Sequence, residues 1–105
     1  MRRKLTTSPI TLEEIQRTLK GKLPMLKSQY RVKSLGIFGS YVRKANKAGS
    51  DLDLLVEFDR APTMFEFVRL ERQLTGMIGI KVDLVMKSAL KPEIGKHILA
   101  EVISV

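Results

Sequence analysis

Two aspartates separated by one residue are the side chains best suited to chemistry in this sequence. Asp51 and Asp53 adjoin an apolar run, and residues two apart in a β-strand project to the same face. Carboxylates about 4 Å apart repel by about 4 kcal/mol at an effective dielectric constant of about 20. A divalent cation would offset this repulsion, and Mg²⁺ prefers carboxylate and phosphate oxygens as ligands. The pair therefore predicts a site for Mg²⁺, or for Mn²⁺ in its place.

A glycine and a serine precede this pair by ten residues. Gly39 has no side chain and lets a ligand approach the backbone, while Ser40 offers a hydroxyl group where a helix is expected to begin. Free N–H groups and the helix dipole favour an anion at such a position. We therefore predict that this turn binds the phosphates of a nucleoside triphosphate whose metal ion is held by the two aspartates.

Asp83 is a third acidic candidate, and it lies between apolar residues in a predicted strand. If this strand neighbours the one that carries Asp53, the two carboxylates share a site. Asp83 would then complete a two-metal clamp and accept the proton of an attacking hydroxyl group. Taken alone, Asp83 is equally well explained as a solvated strand residue. The combination with the Gly-Ser turn and the aspartate pair favours catalysis.

Helices and strands are predicted to alternate and to bring these residues together. The apolar pattern indicates a helix from Thr11, a strand at 32–39, a helix at 40–47 capped by Ser40, a strand at 52–58, a helix at 63–79, a strand at 80–86 and a helix from Pro92. Gly21 and Pro24 predict that the first helix ends or kinks there, with room for one further turn before Gln29 and Tyr30. Residues 103–105 fit either a strand end or a tail. This order predicts an α/β fold, a small mixed β-sheet with helices packed mainly on one face.

Composition limits the class of protein. At 105 residues and 44% hydrophobic content, we expect one domain spanning residues 1–105. The absence of cysteine excludes disulfides and thiolate metal sites, and a single histidine leaves too few ligands for a typical zinc site. The sequence has neither an apolar run of about 20 residues nor a hydrophobic signal-peptide core near its start, so we expect a cytoplasmic protein.

The formal net charge of +8 would attract nucleotides, RNA or an acidic protein surface. Basic residues spread over solvated faces for solubility explain this charge equally well. An aromatic content of 6% argues against RNA binding through base stacking, which makes RNA the weaker candidate partner.

The acidic residues and the Gly-Ser turn together resemble the nucleotidyltransferase superfamily related to DNA polymerase beta. The closer resemblance is to its minimal nucleotidyltransferase (MNT) branch, through residues 37–43 and 50–56, and it extends to the C-terminal helix. The resemblance implies phosphate binding, metal binding and activation of the acceptor, assigned respectively to Gly39 and Ser40, to Asp51 and Asp53, and to Asp83, which also joins the metal site.

Arg43 and Lys44 follow the turn. Arg43 is a candidate nucleotide-binding residue, although a salt bridge on the helix surface is the simpler explanation of an arginine at this position. Lys44 departs from the resemblance, because many members have a glycine after the arginine. His97 is interpreted as an ordinary polar residue on the outer or flanking face of the last helix.

The resemblance also implies a function. It predicts magnesium-dependent transfer of AMP from ATP onto a hydroxyl group of a partner, a HEPN-domain toxin, so that the chain acts like the MntA-like antitoxins of HEPN/MNT pairs. A different class of function is a catalytically weak or inactive binding module that neutralises its partner by complex formation. Both hypotheses allow a homo- or hetero-oligomer.

Overall fold

The structure is a computed structural model that describes residues 10–105. Its elements are α1 (Leu12–Tyr30), β1 (Val32–Phe38), α2 (Ser40–Arg43), β2 (Leu52–Phe58), α3 (Met64–Ile78), β3 (Val82–Met86), a 3-10 turn (Lys87–Ala89), α4 (Pro92–Glu101) and β4 (Ile103–Ser104). The predicted alternation of helices and strands is confirmed. The predicted absence of a signal peptide concerns residues outside this range. No helix within residues 10–105 is both long and apolar enough to cross a membrane.

The four strands form one mixed sheet in the order β3-β2-β1-β4. β1 runs antiparallel to β2 and to β4, whereas β2 and β3 are parallel. The segment after α4, left open between strand and tail, contains the two-residue strand β4, which pairs with Gly36 and Ile37 of β1. The predicted fold class, a small mixed sheet with helices, is confirmed.

Strand alternation separates the core from the acidic residues. Leu52, Leu54 and Val56 of β2 are buried in the core formed with α1 and α3, while Asp53 alternates with them and is half-buried. β3 repeats the pattern, with buried Val82 and Leu84 on either side of exposed Asp83. Because side chains two apart share a face, the same alternation that buries the core directs both aspartates to the opposite face.

The helix α1 begins as predicted and ends later than predicted. The Thr11 hydroxyl accepts a hydrogen bond from the Glu14 N–H group, and the Glu14 carboxylate accepts one from the Thr11 N–H group, which completes the predicted capping box. Of the two alternatives at Gly21 and Pro24, an end of the helix is wrong, because α1 continues to Tyr30. Burial of Leu19 and Leu26 on either side of these residues stabilises the helix against their low propensity.

The helix α2 is shorter than predicted, four residues instead of eight, and Gly39 occupies the capping position expected for Ser40. It ends at Arg43 and is followed by Lys44, whose φ of 59° lies in the left-handed region that glycine adopts most readily. The glycine expected at this position by family resemblance would fit that conformation. Lys44 therefore adopts a backbone conformation that costs a non-glycine residue about 1 kcal/mol.

Two side chains of α3 fasten the edge strand β3. The Val82 N–H group donates to Thr75 Oγ1 at 3.0 Å, and the Leu84 N–H group donates to Glu71 Oε2 at 2.9 Å. In a parallel strand, alternate residues point their backbone groups away from the paired neighbour, so these two donors would otherwise lack a partner in the sheet. Both anchored residues flank Asp83, and α3 thereby fixes the strand that carries it.

Candidate active site

The turn after β1 requires a glycine. Gly39 is buried, and its φ of 85° lies in a region that other residues rarely adopt. A Cβ atom added there would collide with Oδ2 of Asp53. The Gly39 backbone therefore lies directly against the Asp53 carboxylate, and the predicted phosphate-binding turn and the predicted metal ligand share one small space.

Asp83 lies beside Asp53. The two residues are register partners on the parallel strands β2 and β3, where neighbouring strands are about 4.8 Å apart. Phe38, the last residue of β1, is the partner of Asp53 on its other side. The structure thus places Asp83, whose position the sequence could not fix, next to the carboxylate that touches the Gly39 turn.

The charge around Asp53 is not compensated. Partial burial raises the pKa of the Asp53 carboxyl group, and the negative charges of Asp83, Asp51 and Glu101 raise it further, while Arg43 acts in the opposite direction. Removal from water and like charges both disfavour the ionised form. A cation bound at this position would relieve both effects.

Asp51 is exposed and immediately precedes β2, so it lies at the margin of the group. The loop before it is held by the Lys47 N–H group, which donates to Ser50 Oγ at 2.8 Å, and by the Tyr41 hydroxyl, which contacts the Ser50 carbonyl oxygen at 3.5 Å. Burial, followed by the charge of Asp51, raises the pKa of Tyr41. Asp51 also lines a cavity of about 610 Å³ with Lys47 and Lys81.

A second cavity, of about 630 Å³, opens above Asp53 and Asp83. Gly39 and Arg43 border it on one side, and α4 borders it on the other. His97, interpreted from the sequence as an ordinary polar residue of the last helix, is exposed and lines this cavity. The cavity gives a ligand or an acceptor group direct access to both carboxylates.

Glu101 belongs to this site and was not predicted from the sequence. Its carboxylate accepts a hydrogen bond from the Gly39 N–H group at 2.9 Å and contacts Arg43 Nη1 at 3.1 Å through both oxygens. Arg43 thus forms the salt bridge considered for it, and its role in nucleotide binding stays a prediction. The one signal in the sequence is that Glu101 ends a helix, where the helix dipole disfavours an acidic side chain. Its partners are 58 and 62 residues away.

The carboxylates suit a magnesium ion that shares its ligands with a substrate. Residues 10–105 contain no group of three or more histidine, cysteine, aspartate or glutamate side chains placed to hold a metal ion. Mg²⁺ is commonly held by one or two carboxylates together with substrate phosphates. Asp53, with its uncompensated charge and its place against the Gly39 turn, fits that arrangement better than it fits a site built from protein ligands alone.

Comparison with known proteins agrees with this geometry. The nucleotidyltransferase domain family matches residues 19–105. The chain belongs to this family. It is a nucleotidyltransferase, as the resemblance of its Gly-Ser turn and aspartates to that superfamily implied.

Three known proteins are similar to this nucleotidyltransferase in sequence or in structure. The protein adenylyltransferase MntA of Thermococcus cleftensis is 45% identical over 96 residues, which cover 91% of this chain and 97% of the relative. A solved minimal nucleotidyltransferase matches with a TM-score of 0.79 and 31% identity, covering 93% of this chain and 99% of that one. The predicted resemblance to the minimal branch is confirmed.

A third match concerns the fold alone. It is a structure of a triply AMPylated HEPN toxin of Shewanella oneidensis in complex with an MNT antitoxin. The TM-score is 0.62 at 17% identity, and the alignment covers 86% of this nucleotidyltransferase and 70% of that chain. The sheet and helices described above therefore occur in a protein whose structure was solved together with a modified partner.

Proposed function

We propose that this nucleotidyltransferase is a magnesium-dependent protein adenylyltransferase that transfers AMP from ATP to a hydroxyl group of a HEPN-domain toxin and thereby acts as its antitoxin. The observation that carries the proposal is the contact of the Gly39 backbone with the Asp53 carboxylate, beside Asp83. A phosphate-binding turn and two carboxylates in one space are what transfer at phosphorus requires. The 45% identical protein adenylyltransferase supports a protein as the acceptor.

In this mechanism Gly39 and Ser40 bind the phosphates of ATP, and Asp51 and Asp53 hold the magnesium ion, with Asp83 joining them at the metal site. The magnesium ion, when bound, neutralises charge on the phosphates. Asp83 accepts the proton of the acceptor hydroxyl group, whose oxygen forms a bond to the α-phosphorus. The bond from that phosphorus to the oxygen bridging the β-phosphate breaks, and pyrophosphate leaves with the electron pair.

The cavity above Asp53 and Asp83 provides the path for the acceptor. Its walls include Val85 and Leu90 in addition to the polar residues, so an amphipathic side chain such as tyrosine fits its character. In this proposal, a tyrosine of the partner reaches Asp83 from the α4 side while the phosphates occupy the turn. This places donor and acceptor on different sides of the carboxylates.

Mass spectrometry of the partner tests the proposal. The chain is purified together with a candidate HEPN-domain partner and incubated with ATP and Mg²⁺. We expect the mass of one or more adenylyl groups on the partner, and no added mass in EDTA or with Asp53→Asn. Loss of toxin activity without added mass would instead support a binding module and would refute the transferase.

A further inference from the structure

The donors expected to bind phosphate are already occupied by a carboxylate of the same chain. The Gly39 N–H group and the Arg43 guanidinium both donate to Glu101, whose side chain is 24% exposed. The turn and the arginine come from the β1–α2 segment, whereas Glu101 is the last residue of α4. The contact therefore joins two parts of the chain that are distant in sequence.

The position of Glu101 is electrostatically costly apart from these two partners. Its charge is among those that raise the pKa of Asp53, so the carboxylate lies near like charges. It also ends a helix, where the unpaired carbonyl groups disfavour a negative side chain. The hydrogen bond from Gly39 and the ion pair with Arg43 are the contacts that compensate it. The two donors therefore stabilise an anion at this position, whereas the nearby carboxylates and the end of the helix disfavour one.

A phosphate oxygen and a carboxylate oxygen compete for these donors. Both are anionic acceptors that bind backbone N–H groups and guanidinium groups with similar geometry. The single N–H group of Gly39 cannot serve two anions at full strength, and two anions side by side would repel each other. A phosphate that binds at Gly39 must therefore replace the Glu101 carboxylate.

We propose that Glu101 is the resident anion of the phosphate turn and lowers the affinity of the chain for nucleotide, which binds by displacing it. This inference rests on the proposed function, since it takes the turn as the phosphate site. Displacement is feasible because Glu101 is the last residue of α4, separated by one residue from the short strand β4, and because Gly95 is the one residue of α4 that is buried. Nucleotide binding would consequently change the surroundings of Glu101 at the C-terminal end of the described fold.

The test compares Glu101→Gln with wild type by calorimetric titration of ATP in Mg²⁺. Glutamine keeps the size of the side chain and removes its charge, so we expect the dissociation constant of MgATP to fall by between about threefold and thirtyfold. Glu93→Gln, an exposed position in the first turn of the same helix, makes the same change in net charge and controls for it. It should bind as wild type does.

Chemical shifts of labelled protein give a second measurement. In wild type, MgATP should shift the amide signals of Gly39 and of Glu101 together, with one titration curve. Thermal melts establish that Glu101→Gln remains folded. Weaker binding by this variant would show that Glu101 positions Arg43 for the nucleotide, and unchanged binding would show that the carboxylate does not compete. Either result overturns the inference while leaving the proposed function intact.

The two hypotheses fail in different ways. If wild type does not bind MgATP but Glu101→Gln does, the resident-anion inference is supported in its strongest form. If neither protein binds MgATP, with or without the partner, the phosphate turn is not a nucleotide site, and the proposed function falls together with the inference.

Discussion

The two sides of the candidate active site differ in how their charges are paired. On the side of the phosphate turn, the donors Gly39 and Arg43 are matched by the Glu101 carboxylate within the same chain. On the acidic side, Asp53 and Asp83 lie next to each other, and the pKa of Asp53 is raised by burial and by like charges. The difference is that the donors of the turn have an anionic partner within the chain, whereas the Asp53 carboxylate lies mainly among like charges. Substitutions on the acidic side should therefore impair transfer, and substitutions on the side of the turn should impair nucleotide binding.

The largest effect is expected for Asp83→Asn, which tests whether the acidic side performs chemistry. The variant keeps the shape of the side chain and removes the base. Transfer to a confirmed partner should fall by about 100- to 10,000-fold while MgATP still binds. The matched control is Asp59→Asn, an identical change at an exposed residue just beyond β2. Near-normal transfer by a folded Asp83→Asn protein would remove the role of proton acceptor.

Gly39→Ala tests the contact between the two sides. The added Cβ atom collides with Asp53 Oδ2, so nucleotide binding should be lost or greatly weakened and the thermal midpoint lowered. Gly49→Ala separates strain from collision, because Gly49 has a φ of 88° but a Cβ atom added there would meet nothing within 4 Å. Calorimetry and melts on both variants make the comparison. Equal losses would show that backbone strain, and not the carboxylate, sets the need for glycine.

Ser40→Ala probes the turn alone and should have a smaller effect. Removal of one hydroxyl group from a phosphate contact should weaken MgATP binding by about 0.5–1.5 kcal/mol, roughly two- to twelvefold in Kd. The fold should be unaffected because Ser40 begins α2 without capping it through its side chain. Titration of Ser34→Ala, a serine of β1 bonded to Glu57 on the exposed surface, supplies the control. Unchanged affinity in Ser40→Ala would leave the backbone as the phosphate ligand.

Asp53→Asn should change stability modestly, in the direction opposite to its effect on function. The pKa of Asp53 is higher in the folded state than in the unfolded state, so the folded state binds more protons between these values. The free energy of unfolding therefore decreases as the pH rises through this window, and the loss persists at neutral pH. Melts across about pH 3–8 should show a higher midpoint for Asp53→Asn at neutral pH, and a difference that shrinks in acid. An unchanged or lower midpoint at neutral pH would contradict the uncompensated charge.

The sequence predicted the elements whose signals are local. The capping pair Thr11 and Glu14 marked the start of α1, and alternation of apolar residues marked β2 and β3 with their aspartates outside the core. The end of α1 was missed because burial of Leu26 outweighs the cost of Pro24, and burial depends on tertiary packing. The end of α2 was missed because its left-handed residue is Lys44 and not a glycine.

Candidate site residues could be proposed from the sequence only where they lie close together along the chain. Gly39, Asp51 and Asp53 lie within one short segment, so their spacing could be matched to that of a known family. Glu101 was not found because its contacts with Gly39 and Arg43 arise when α4 folds back over the sheet. A contact between distant residues leaves no periodic signal in a single sequence.

The anchored edge of β3 limits how a partner can approach. An edge strand normally offers a row of free N–H and C=O groups to which another chain can add a strand. Thr75 and Glu71 already accept the hydrogen bonds of Val82 and Leu84, so these two donors beside Asp83 are not available to an added strand. These hydrogen bonds make β3, the strand that carries Asp83, less able to pair with a strand of another chain and to aggregate. Under the proposed function, the partner would instead present its side chain to the face of the sheet.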